Sequence, residues 1–295
     1  MKRQWICILV LALGFSACEK DIQFSPDTTN PKLVVDASIE NNQPPLIVLS
    51  RSLAFFNTLS PTELTNSFVH NAQVTITENG ITYPMKEVTV PLGNGQSTYY
   101  YTNDPLNPTP LVGKTGTRYQ LKITTDGQVY NAETSIPALP GRTLDSIWWK
   151  KAPFSTDSTK VVVMGKVTDP PGLGNYMRYF TKVNREPYWP GYNSVNDDQI
   201  IDGTSYIVQI DAGWNKNIEV DRETYGFFHR GDTVLIKLSN IDKATYDFWR
   251  TWEFNFQSVG NPFSSPGKIT GNISNNALGI FCGYASAEKR LIIPK

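Results

Sequence analysis

"AQVTITENGITYPMKEV", residues 72–88, decides the fold. On both sides of Asn79-Gly80 the residues are β-branched or aromatic and partly alternate apolar with polar, the period-2 pattern of half-buried strands. Asn-Gly tolerates the positive φ angles of a two-residue hairpin turn, so the stretch reads as two antiparallel strands. The pattern recurs in "TRYQLKITTDGQVYNAETSI", residues 117–136, around Asp126-Gly127. "KLVVDASIE" (32–40), "PLIVLSRS" (45–52) and "STYYYTN" (97–103) add three further strand candidates. Seven short strands in one stretch predict an immunoglobulin-like β-sandwich over residues 32–140. Only the architecture is implied, because the disulfide and buried Trp of antibody domains are missing.

The strand rhythm stops at "IPALPGR", residues 136–142, whose two prolines and glycine set an expected boundary between residues 140 and 141. A second β-rich domain is expected over 141–295, with strands in "DSIWWKKA", "KVVVMGKVTD", "NYMRYFTKVN", "SYIVQID", "DTVLIKLSN" and "LGIFCGYAS". Trp148 and Trp149, as strand neighbours, point to opposite faces. One segment breaks the β pattern. "DKATYDFWRTWEFNFQS", residues 242–258, has Asp242 placed as an N-cap and Tyr246, Trp249, Trp252 and Phe256 near helical spacing, so one amphipathic helix should lie on a sheet through its aromatic face.

At the other end, Lys2 and Arg3 precede an apolar run that closes on Phe15-Ser16-Ala17-Cys18. About 20 apolar residues are needed to span a bilayer core, and this run is shorter. It has the three-part build of a secretory signal, and it resembles a bacterial lipoprotein signal with its lipobox at Phe15–Cys18. That resemblance implies removal of residues 1–17 and lipid attachment at Cys18, with residues 18–31 as a polar tether. The competing reading is an ordinary signal cut near Ala17. Removal of residues 1–17 leaves 25 basic against 27 acidic residues, a balance that argues against nucleic acid as a partner. Cys282 is then the only thiol outside the signal and the lipobox, so a disulfide framework and a cysteine metal site are excluded.

Motifs for chemistry are sparse. His70 and His229 fall in different expected domains and outside zinc-binding spacings. There is no Gly-x-Ser-x-Gly elbow, and "GLGNY" (172–176) precedes a strand rather than a helix, so it is a turn and not a phosphate loop. Asp197, Asp198 and Asp202 cluster in "NDDQIIDG" (196–203) without the order of an EF-hand loop, and a solvated loop is the simpler account. No metal, cofactor or catalytic residue is expected. The candidate binding residues are Tyr188, Trp189 and Tyr192 in "REPYWPGYN" (185–193), read as a Pro/Gly-rich loop whose rings either stack on a sugar or partner or plug the edge of their own domain.

"PKLVVDASI" (31–39), "PPLIVLSRS" (44–52), "DPPGLGNYMR" (169–178), "GDTV" (231–234), "TYDFW" (245–249) and "GNISNNALGIF" (271–281) follow one another along the chain. In that order they resemble the domain-of-unknown-function 4249 family, outer-membrane lipoproteins of Gram-negative bacteria that rely on TonB-dependent import. The resemblance implies a lipid-anchored envelope protein of two domains, often encoded beside a TonB-dependent receptor, and brings no catalytic residues; with the lack of catalytic motifs, the expected role is that of a non-enzymatic accessory protein. The expected partners are the membrane, through lipid on Cys18, and such a receptor. The alternative is a stand-alone glycan-binding or adhesin-like surface lipoprotein. Glu19 and Asp21, acidic residues just after Cys18, are compatible with display on the cell surface.

Overall fold

The computed structural model describes residues 31–53, 60–93, 96–153, 155–219, 225–259 and 267–295. The expected signal peptide, Cys18 and nearly all of the tether lie outside the described residues. The first half holds β1 (Leu33–Glu40), β2 (Leu46–Arg51), helix α1 (Pro61–Ser67), β3 (Gln73–Glu78), β4 (Ile81–Gly93), β5 (Gln96–Asn103), β6 (Thr117–Thr125) and β7 (Gln128–Ile136). The second holds β8 (Thr143–Lys151), β9 (Lys160–Thr168), β10 (Tyr176–Val183), β11 (Trp189–Asn196), β12 (Ser205–Ile210), β13 (Phe228–His229), β14 (Thr233–Ile241), helix α2 (Lys243–Ser258) and β15 (Leu278–Ile292). The chain is mainly β, as expected, and no helix among the described residues is long and apolar enough to cross a membrane.

Both hairpins read from the sequence are present. Asn79 and Gly80 have φ of 49° and 82°, and Asp126 and Gly127 have 48° and 69°. These left-handed values match the twist of the strands they join. They set Glu78 opposite Ile81 and Thr125 opposite Gln128.

Eleven strands form one sheet in the order β11-β10-β14-β15-β1-β2-β5-β4-β3-β6-β7. The expected boundary at residues 140 and 141 falls in the link between β7 and β8, and the sheet runs across it. β15, from the second half, pairs in parallel with β1 of the first, from Val34 opposite Leu278 to Glu40 opposite Tyr284. Residues 31–295 accordingly pack as one compact unit. From β15 onward the sheet curls until β7 returns to pack on β15. This sandwich-like wrap encloses a core of Val35, Ile39, Ile47, Ile76, Tyr119 and Phe281, each 2% exposed or less. Burial of each such side chain contributes about 1.5–3 kcal/mol.

In the second half, β9 pairs with β8 on one edge and with β12 and β13 along the other. This small sheet lies on one face of the β10-β14-β15 region over Val161, Val163, Phe228, Val234 and Ile236. Helix α2 takes the opposite face through Tyr246, Phe248, Trp249 and Trp252, against Ile241, Ile280 and Cys282. The helix lies where its spacing predicted, and Asp242 caps it by accepting from the Thr245 amide at 2.8 Å.

The same helix covers two strand edges. Asp242 Oδ2 accepts from the Ser135 amide on β7 at 3.0 Å. At the far end of the sheet order, Glu253 accepts from the Ser194 amide on β11 at 2.9 Å, and Gln257 donates to the Tyr192 carbonyl at 3.0 Å. Side chains thus occupy backbone groups that an open edge would offer to another chain.

Candidate functional site

Alternation along β1 separates its residues between two environments. Val35, Ala37 and Ile39 enter the sandwich core, while Asp36, Ser38 and Glu40 look out on the other side. Beside them on that face stand Cys282 and Tyr284 from β15, Lys237 from β14, and Arg178 and Phe180 from β10. Trp249 and Trp252 of α2 form one wall. The opposite wall is made by Tyr188, Trp189 and Pro190 with Trp214 to Asn217. Together they line a cleft of about 540 Å³, within the usual range for small-molecule sites. A hollow of about 550 Å³ on the outer face of β3, β6 and β7 is lined by Thr, Gln, Lys and Glu side chains and holds no aromatic ring, so it is the poorer candidate.

Arg178 organises the cleft. Its side chain is only 4% exposed, with the guanidinium 3.5 Å from the Trp249 ring centre and 4.8 Å from that of Phe180. Nε donates to Ser194 Oγ at 3.0 Å and Nη1 to the Tyr284 hydroxyl at 3.2 Å. Trp249 Nε1 donates to the same hydroxyl at 3.1 Å. Nη2 has no protein acceptor among the described residues. A cation held this rigidly between rings is preorganised to donate from the position left over.

The other charges fall into two groups. Lys237 pairs with Glu40 at 3.0 Å, and Lys216 with Glu253 at 3.5 Å; burial holds the Lys216 ammonium below its ordinary pKa despite that carboxylate. Asp36 opens on the cleft, where its side chain meets solvent although protein surrounds it on the other sides, and it accepts no hydrogen bond from a described residue. Desolvation raises its carboxyl pKa, with the Arg178 charge opposing in part. Cys282 also reaches the cleft, where burial pushes its thiol up to about 12, so it stays protonated and inert at neutral pH.

The three residues singled out from the sequence separate here. Tyr188 and Trp189 line the cleft. Tyr192 packs behind it, stacked on Trp214 at 5.9 Å and edge-on to Tyr225 at 5.6 Å. The expected loop is in fact partly strand, since Trp189–Asn196 form β11. Pro190 is tolerated because β11 is an edge strand and the β10 pairing shifts register there. Trp189 is held from its backbone: Trp214 N donates to the Pro190 carbonyl at 3.0 Å, and Gly213 packs so tightly on the Trp189 carbonyl that a side chain there would overlap it. Every other ring in the cleft has a ring or cation partner; Trp189 has none among the described residues.

The acidic cluster also regroups. Asp198 and Asp202 are joined by Asp169 rather than Asp197, their oxygens within 4.8 Å of one another. Asp197 instead accepts from the Tyr246 hydroxyl at 2.8 Å. Each clustered carboxylate is already engaged: Asp169 by Arg142 Nε at 2.5 Å and the Gly203 amide, Asp198 by the Asn175 amide, Asp202 by the Gly172 amide. With Arg142 as the resident cation, the cluster clips the 169–175 turn to the 198–203 turn. The two histidines are far apart in role: His70 Nδ1 meets Glu87 at 2.5 Å, while the His229 backbone amide donates to Asp232.

Sequence reasoning missed Asp36, Arg178, Lys216, Lys237 and Trp214, because each is an ordinary strand or loop residue until the sheet order makes them neighbours. Arg178 alone left a trace, as a cation inside the apolar run "YMRYF".

A search among curated proteins finds no match. A family model described as Domain of unknown function (DUF4249) matches residues 19–290, nearly the whole chain. The chain therefore belongs to the DUF4249 family.

Proposed function

We propose that this chain is a non-enzymatic binding protein, lipid-anchored at the outer membrane through Cys18, which presents the aromatic cleft to an extracellular nutrient and works beside a TonB-dependent receptor in its uptake. The observation that carries the binding role is Arg178: a nearly buried cation, clamped between Trp249 and Phe180 and fixed by two hydrogen bonds, with one nitrogen left without a protein acceptor at the wall of a ring-lined cleft. Binding is favoured over catalysis because the nucleophile in reach, Cys282, is held protonated, and the cleft's other carboxylate, Glu40, is taken up by Lys237. The anchor and the receptor partnership rest on the lipobox-like Phe15–Cys18 and on the family resemblance.

The test is purification of the native lipoprotein from outer membranes in mild detergent, with co-purifying proteins identified by mass spectrometry and lipid on Cys18 by peptide mass. A TonB-dependent receptor in stoichiometric amount is the expected result. Recovery of the lipidated protein alone would overturn the partnership and favour a binder acting by itself.

A further inference from the structure

Three features of the cleft lining select a ligand class. The first is charge. Lys237 and Lys216 are each paired with a carboxylate inside the protein, which leaves the Arg178 guanidinium and the Asp36 carboxyl, of opposite sign. An ionic ligand of either sign would bring an uncompensated charge into a cleft whose own charges already balance. The second is the polar inventory. Arg178 Nη2 is a donor without an acceptor, Asp36 an acceptor without a donor, and Ser38 lies two residues further along the same face of β1. A hydroxyl supplies both an O–H and a lone pair, so neighbouring hydroxyls can satisfy both groups. The third is Trp189, whose ring has neither a ring nor a cation partner among the described residues and stands between this cleft and a second depression of about 500 Å³.

We infer that the cleft takes a neutral oligosaccharide, with one sugar ring stacked on Trp189, its hydroxyls shared between Arg178 and Asp36, and the chain continuing past Trp189 into the second depression. Apolar C–H faces of a sugar lie against an indole, while its rim of hydroxyls meets the planar guanidinium and carboxylate. A zwitterionic amino acid would also be neutral overall. Most such ligands, however, carry no ring face to lie on Trp189, whereas each sugar of an oligosaccharide presents one.

This inference rests on the binding-protein reading, and its test separates the two. Full-length lipoprotein in detergent micelles is probed with an array of neutral gluco-, xylo-, manno- and galacto-oligosaccharides, together with uronate oligosaccharides, amino acids and dipeptides. Hits are then titrated calorimetrically with the wild type, Trp189→Ala, Trp189→Phe and Asp36→Asn, the Trp189 variants first checked for an unchanged thermal melt and Asp36→Asn for a melt no lower than that of the wild type. The expected result is binding of at least one neutral oligosaccharide that is insensitive to salt. Trp189→Ala should weaken it by about tenfold or more, while Trp189→Phe retains most of it and Asp36→Asn reduces it. Binding of only a charged ligand or a dipeptide, lost in Trp189→Ala, would overturn the carbohydrate assignment and leave the cleft standing as a binding site. No binding by any probe, or sugar binding that Trp189→Ala leaves unchanged, would overturn it as well, and in neither case does the receptor pull-down change its outcome.

Discussion

Asp36 shows how a single residue can be set against the stability of its own fold. Its neighbours on β1 bury their side chains in the sandwich core, and alternation forces the carboxyl onto the cleft face beside Cys282 and Tyr284. Its folded-state pKa lies above the ordinary 3.8 because burial outweighs the Arg178 charge. The folded chain therefore holds this proton more tightly than the unfolded one, and stability falls as pH rises through the folded-state value. Asp36→Asn should raise the melting temperature at pH 7 only slightly, since the carboxyl still meets solvent in the cleft, and the difference should shrink as pH is lowered toward 3.8, measured by thermal denaturation across that range. Asp169 is the opposite case. It and Arg142 are both inaccessible to solvent, and Asp169→Ala strands the guanidinium without a partner. The expected loss is about 3–5 kcal/mol in denaturant unfolding, the usual consequence of breaking a buried ion pair. Asp169 was legible only as the first letter of "DPPGLGN"; that it belongs with Asp198 and Asp202 depends on two turns meeting, which no local spacing reveals.

Elements were legible where they carried their own chemistry. The Asn-Gly and Asp-Gly hairpins, the seven strands of the first half and α2 all follow from turn residues, alternation and a cap. Helix α1 also had its signal, missed in the sequence reading: Ser60 and Glu63 form a reciprocal capping box with Pro61 at the first position. β11 had no such signal, since Pro190 and Gly191 argue for a loop, and only its place at the sheet edge makes them acceptable. Helix α2 does more than its amphipathic pattern implied. Asp242 caps it and also binds the Ser135 amide and the Thr134 hydroxyl on β7. Asp242→Ala should cost more than the roughly 1 kcal/mol of an ordinary cap, because it also frees a backbone donor on a strand edge. Equilibrium unfolding measures the cost, and hydrogen exchange should show faster exchange at Ser135 and through the first turn of α2.

For the whole molecule, the shared sheet is what the sequence concealed. A change of rhythm at residues 136–142 is real, but it marks a link between halves that are joined through β15 and β1, and strand order over a separation of more than 200 residues leaves no local mark. The cleft inherits that obscurity: β1 and α2 meet there only because β15 lies between β1 and β14. β15 spends its length in three environments, with Ile280 and Cys282 under α2, Phe281 and Ala285 in the sandwich core, and Leu291 against the small sheet. This sets an order of events for a chain made from its amino end. Until β15 arrives, β1 and β14 each lack a neighbour and the core under α2 lacks Ile280, Cys282 and Tyr284, half of its buried side chains. Closure of the sheet is therefore a late step of assembly, completed only when β15 takes its place between β1 and β14.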